Sequence, residues 1–261
     1  ELHSLKETSW WEEKSDQQIR ATLGRHGAGE VLDVWFGHDA HQLRSCVHGV
    51  LGAMPGAGKS TLLHNLICTL AVRYSPEELS LYLIDGKYGV EFQPYRNLPH
   101  AQVVSLHTSP AMARSVLDDL VAEMARRNGL FADYGVVDLP GYRSLGSPSG
   151  KLPRILLVVD EYQQLFEGDR NGDASNAFLR LSQQGRSAGI HFLLSSQRFD
   201  AGAMLHRNEI FGNVHLRLAM QLSQSDAAAL TEFGVTGRRL VTAHCDRAGR
   251  VVANDRAGDD A

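Results

Sequence analysis

The chain has 261 residues, 43% hydrophobic and 21% charged, with a net charge of -4, enough to bury a full core, and one large domain fits that length better than two. Its longest apolar runs, such as residues 155–159, fall far short of the roughly 20 residues that a bilayer-spanning helix needs, and the mild acidity argues against a nonspecific basic coat for nucleic acid while leaving room for local Lys and Arg loops. Three cysteines, Cys46, Cys68 and Cys245, lack CxxC or Cys/His spacing, and the histidines show no HExxH; neither a disulfide framework nor a zinc site is expected, and a reducing, cytoplasmic compartment is.

The chain begins at Glu1 with neither an initiator Met nor a charged-then-apolar leader, which predicts a piece of a longer protein. Trp10 and Trp11 are expected to cover a sheet edge or to dock on a neighbouring domain. "VLDVWFG" (31–37), within an N-terminal stretch of strands, 1–45, leading into the main domain, and "CVHGVLGA" (46–53) are predicted strands. From Ser60 to Tyr74, Leu63, Leu66, Ile67 and Leu70 recur at helical spacing. "LSLYLID" (79–85) and "VVSL" (103–106) have the apolar, β-branched character of buried parallel strands. Between Pro110 and Phe131, Met112, Val116, Leu117, Leu120, Val121 and Met124 mark one face of an expected long helix. A Gly/Ser/Pro-rich loop (144–153) precedes "RILLVVDEY" (154–162), a short buried strand ending in two acids. A helix over 174–185, a strand "GIHFLLSSQR" (189–198) and a C-terminal hairpin with a polar tail over 235–261 complete the reading. Strands alternating with helices predict an α/β fold with a mainly parallel, helix-flanked sheet whose ligands sit at the carboxyl ends of the strands.

The stretch "AMPGAGKST" (53–61) lies between a strand and a helix. It matches the phosphate-binding loop, Gly, four residues, then Gly-Lys-Ser/Thr, except that Ala53 replaces the first glycine. Such a loop points successive backbone N–H groups at phosphate oxygens, which requires glycine where φ is positive or the ligand passes close; Gly56 and Gly58 supply it. Pro55, Gly56, Ala57, Gly58, Lys59, Ser60 and Thr61 are the expected ATP contacts, with Lys59 on the β- and γ-phosphates and the Ser60 hydroxyl on Mg²⁺. "ILLVVDE" supplies the partner acids: Asp160 for Mg²⁺, and Glu161 to orient or deprotonate the attacking water. Gln197, at the end of "LLSSQ", is able to bond both γ-phosphate and water.

With these motifs in order, the chain resembles the FtsK/SpoIIIE-like motor ATPases of the HerA/FtsK group. The resemblance runs from about residue 19 to 258, through "YLIDGKYGVEFQPYRNLPHA", "MARRNGLFADYGVVDLPGYR", "VVDEYQQL", "GRSAGIHFLLSSQR" and "GNVHLRLAMQLSQSDAAAL". It departs where the family's "ATQRP" is "SSQRF", its "DEFADL" is "DEYQQL", and its Asp-Pro-Lys is Asp85-Gly86-Lys87. The resemblance implies a RecA-like P-loop domain that assembles as a ring, usually hexameric, and couples ATP hydrolysis to movement of double-stranded DNA or, in the type VII secretion branch, to protein export. It also implies that Arg217 is an arginine finger reaching the neighbouring subunit's γ-phosphate, with Gln197 the sensor from within. A strand-end arginine in a salt bridge is the alternative for Arg217, and structural roles stand beside nucleotide-linked ones for Arg186 and Arg198. Loops 143–151 and 198–207 are candidate DNA contacts. Beside the DNA motor stand a protein-export motor and an ATP-dependent assembly switch in a DNA-defence system.

Overall fold

The computed structural model describes residues 10–26, 29–39, 43–86, 90–105, 110–197, 204–223, 225–226 and 233–255. The strands β1 (Gln18–His26), β2 (Glu30–Asp39) and β3 (Arg44–Cys46) form a small antiparallel sheet in that order. The main sheet opens with β4 (His48–Gly52), followed along the chain by α1 (Lys59–Arg73), β5 (Leu79–Asp85), β6 (Ala101–Ser105), α2 (Pro110–Asp133), α3 (Leu139–Ser144) and β7 (Arg154–Asp160). Then come α4 (Asp173–Ala188), β8 (Ile190–Ser196), α5 (Arg207–Gly212), β9 (Val214–Ala219), α6 (Gly234–His244) and β10 (Val252–Asn254). The main sheet's strands lie in the order β10-β9-β4-β8-β7-β5-β6, parallel throughout except for β10, which is antiparallel to β9. This is the expected mainly parallel α/β sheet.

The core follows the strand pleat. Every residue of β7 and β8 is buried, as central parallel strands covered on both faces require. Ile155, Leu157 and Val159 point to one face, where Val116, Leu117, Leu120 and Met124 of α2 and Phe178 and Leu181 of α4 cover them. Leu156 and Val158 point to the other, against Leu63, Leu66, Ile67 and Leu70 of α1. No helix among the described residues is long and apolar enough to cross a membrane.

Three expectations change. The single run over 46–53 is two strands in different sheets: β3 pairs with β2, Val47 turns the chain, and β4 pairs with β8 and β9. The C-terminal hairpin is not formed among the described residues. Instead α6 precedes β10, whose partner is β9. Finally, the cations of loop 143–151 are committed elsewhere. Arg143 donates to Glu78 Oε2 at 2.9 Å, to Ser15 Oγ at 2.9 Å and to Leu152 O at 2.7 Å, with only 6% of its side chain exposed, and Lys151 pairs with Glu78 Oε1 at 2.8 Å. This cluster clamps the amino ends of β5 and β7, opposite the end where ligands bind such sheets. Trp11 covers the end of α1, donating from Nε1 to Ala71 O at 2.9 Å and meeting His100 edge to face.

The same cluster and the sheet interior set an acid limit on stability. Burial works to raise Glu78, but hydrogen bonds from Lys151 and Ser15 and the Arg143 charge bring it down to about 2. Burial, then the Arg154 guanidinium, pushes His191 down to about 3 from an ordinary 6.5, and burial also lowers His48. Both histidines are neutral in the folded chain and take a proton below pH 6.5 only on unfolding, so stability falls as pH drops below 6.5. Glu78 contributes fully above its ordinary 4.5 and loses that contribution as pH falls from there toward 2. Between pH 7.5 and 5, His191 alone is expected to remove about 2 kcal/mol. Urea midpoints at the two pH values should show this fall, and His191→Asn should flatten it; equal slopes in both proteins would contradict the assignment.

Candidate nucleotide site

β4 ends at Gly52, and the six residues that follow bring the chain to the first residue of α1, Lys59. This loop is tied to the ends of two neighbouring strands: Ala53 N donates to Ser196 O at 3.2 Å and Met54 N to Gln221 O at 2.8 Å, while Ala57 N closes a turn on Met54 O at 3.1 Å. Gly56 and Gly58 have φ of 81° and 103°, the left-handed region that glycine enters without penalty. At Gly58 a Cβ would also lie 3.3 Å from Met220 Cε. Ala53 is fully buried and is not among the residues with a left-handed backbone, so alanine meets no strain where the motif has its first glycine. Gly58 provides no side-chain cap and the first turn of α1 holds no acid, so its N–H groups and positive end are open to an anion.

Beneath the loop lies the charged centre. Lys59 is 5% exposed, and its Nζ donates to Asp160 Oδ1 and, at 2.6 Å, to Glu161 Oε1. β7 delivers both acids from its carboxyl end. Ser195, on the adjoining β8, donates to Asp160 Oδ1 at 2.5 Å. Glu161 stands in the left-handed region at φ 51° and ψ 53°, a conformation that costs a non-glycine residue on the order of 1 kcal/mol and persists where surroundings over-determine it. Here they do: Glu161 Oε2 accepts from Gln163 Nε2 at 2.7 Å and Gln197 N at 3.3 Å. Gly86 packs on the same backbone, donating to Asp160 O at 2.9 Å; a Cβ there would meet Glu161 O at 2.7 Å, so proline or any other side chain is excluded without a shift.

Two buried carboxylates share one ammonium. Burial pushes Asp160 above the usual carboxylate range, with Lys59 opposing. A hydroxyl at Ser60 and a carboxylate at Asp160 are the hard oxygen donors that Mg²⁺ takes, and the excess of negative charge fits a divalent cation, so these two residues would hold it together with phosphate oxygens.

The structure thus brings Lys59, Ser60, Asp160, Glu161 and Gln197 to one end of the sheet, with Pro55 and Gly56 exposed at the crest of the loop and Ala57 buried behind it. Arg217 is placed differently: it is the fourth residue of β9, paired with Val50 and Asn254, and β4 and β8 separate β9 from β7. Its charge, with that of Arg186, bears on His215. Arg186 itself donates to Ser45 Oγ at 3.4 Å. Asp85 is buried and accepts from Glu91 N at 3.0 Å; Lys87 and Arg198 lie outside the described residues.

Two features escaped sequence reasoning. Gln163 and Ser195 carry no motif of their own, although both flank one. A cleft of about 1090 Å³ beside Gly58 and Thr61 is walled by Leu23 and Gly24 of β1, Asn65 of α1 and the segment 248–251. Three widely separated stretches build it, and no local pattern announces them.

The FtsK/SpoIIIE family profile matches residues 3–201. The chain is 29% identical over 242 residues to the DNA translocase SpoIIIE of Bacillus subtilis, covering 88% of this chain and 29% of that protein. It is 27% identical over 238 residues to the ESX secretion system protein EccC of Geobacillus thermodenitrificans, covering 85% of this chain and 16% of that one. The chain therefore spans less than a third of the length of these relatives. Among solved structures, the cytoplasmic domain of the type VII secretion ATPase EccC of Thermomonospora curvata superimposes on 97% of this chain, and the chain on 30% of it, with a TM-score of 0.72 at 22% identity. The pCW3 conjugation coupling protein TcpA with ATPγS superimposes on 98%, the chain covering 66% of it, with a TM-score of 0.73 at 22% identity.

Proposed function

We propose that this chain, which belongs to the FtsK/SpoIIIE family, is an ATP-hydrolysing motor domain whose copies form a ring, in the family's manner a hexamer, and drive double-stranded DNA. One observation carries the hydrolase part: the Lys59 ammonium is buried between Asp160 and Glu161 directly below a loop with two left-handed glycines at a helix N-terminus. In this reading the β- and γ-phosphates enter the loop and Lys59 turns to them from the two acids. That exchange frees Glu161 to orient and deprotonate water. Ser60 and Asp160 would hold Mg²⁺, which would supply positive charge at the phosphates. Thr61 faces the cleft that would take the nucleoside. Phosphoryl transfer asks mainly for positioning and for positive charge around the γ-phosphate. Lys59 gives part of that charge, and Arg217 of a neighbouring copy would give the rest.

Duplex DNA as the track is supported by the likeness to the SpoIIIE translocase over most of this chain. Since Arg143 is committed to Glu78, phosphate grip has to come from other stretches, and 198–207, of which 198–203 lie outside the described residues, is the candidate. A protein-export motor is the second reading, favoured by the likeness to EccC. The test is ATP-dependent displacement of a third strand from a duplex carrying a triplex. Displacement that requires ATP and an intact Lys59 is expected; ATP turnover without displacement, and unaffected by duplex DNA, would transfer the assignment to export.

A further inference from the structure

The carboxylate of Glu161 is held unevenly, and the unevenness points to a role for Gln163 beside it. Oε1 accepts from Lys59 at 2.6 Å, whereas Oε2 accepts from the Gln163 amide at 2.7 Å and from Gln197 N at 3.3 Å. The amide is itself fixed: its Oε1 accepts from Ser196 Oγ at 2.8 Å, so its NH₂ group must face the carboxylate. Gln163 lies two residues after Glu161 in the short turn Tyr162–Phe166, and Ser196 ends β8. Gln163, Gln197 and Glu161 also line one cleft of about 560 Å³ with Met54 and Pro55 of the phosphate loop.

We infer that Gln163 is a positioning residue for the proposed general base: it holds Glu161 by Oε2 against the end of β8 while Lys59 moves away from Oε1. This rests on the ATPase reading above. The two oxygens then have separate duties. Oε1 is exchanged, from an ammonium to the proton of the attacking water, and Oε2 stays anchored, so the carboxylate keeps one orientation through the exchange despite its left-handed backbone.

The test uses the full chain with saturating duplex DNA and the variants Gln163→Met, which keeps shape and length without a donor, and Ser196→Ala, with unfolding midpoints to confirm folding. Gln163→Met is expected to lower kcat about 10- to 100-fold with KM for ATP changed less than about threefold. Ser196→Ala should lower kcat in the same way by less. An unaltered kcat in Gln163→Met, with the parent chain active, would overturn the inference and leave the ATPase reading standing. A parallel rise in KM and fall in kcat would also overturn it, because loosened packing acts that way. Absence of turnover by the parent chain at every concentration would overturn the ATPase reading and the inference together.

Discussion

Replacing Glu161 by Gln is expected to stop hydrolysis while ATP still binds. The substitution keeps size and one acceptor oxygen, enough for either Lys59 or the Gln163 and Gln197 N donors but not both, and removes the charge and the proton-accepting oxygen. General-base contributions are worth about 10²- to 10⁴-fold, so turnover should fall by that factor at an affinity for ATP unchanged or tighter. Affinity is free to rise because the buried centre loses one of the two negative charges that oppose phosphate. Lys59→Ala is the contrasting case. It removes the only cation in the buried cluster of Lys59, Asp160 and Glu161 and leaves the two carboxylates facing each other, so binding itself should fail. Fluorescent-ATP titration beside a phosphate-release assay separates the two outcomes. Equal loss of binding in both variants would contradict the division of labour between Lys59 and Glu161.

Replacing Arg217 by Ala is expected to lower turnover about 10³- to 10⁵-fold, the range for a trans-acting arginine in other nucleotide hydrolases. The position makes the prediction specific. β9 is separated from β7 by two strands, and Arg217 sits within a strand rather than on a loop above the phosphates of its own chain. If Arg217 serves a neighbour, mixing inactive Arg217→Ala chains with inactive Glu161→Gln chains should restore part of the activity. At half of the mixed contacts an intact Lys59, Asp160 and Glu161 then meets an intact Arg217. Should Arg217 act within its own chain or only support β9, the mixture stays inactive.

The chemistry-bearing ends of the strands were legible in the sequence because each is marked twice, by an apolar run and by the polar residue that stops it. Val158-Val159-Asp160 and Leu194-Ser195-Ser196 became the carboxyl ends of β7 and β8 for that reason. What the pattern did not resolve has physical causes. Cys46-Val47-His48 is apolar or buried throughout, so hydrophobicity gave no sign that one residue joins two sheets. The segment "DRAGRVVAN" has the turn residues and β-branched run of a hairpin, yet its strand finds β9, 33 positions earlier at Val252–Ala219; partner choice is a tertiary decision. Arg143 looked like a surface cation beside Lys151 in a Gly/Ser-rich loop, and only the fold brings Glu78 and Ser15 to it. Gln163 was passed over because a glutamine after two acids has no signature until the neighbouring strand supplies Ser196.

The most direct test is ATP turnover per chain as a function of chain concentration, with and without long duplex DNA. A motor whose sites are completed by neighbours should be nearly idle when dilute, should rise steeply with concentration, and should rise further with DNA. Turnover per chain that is independent of concentration and unmoved by duplex DNA would contradict both the shared site and the DNA track.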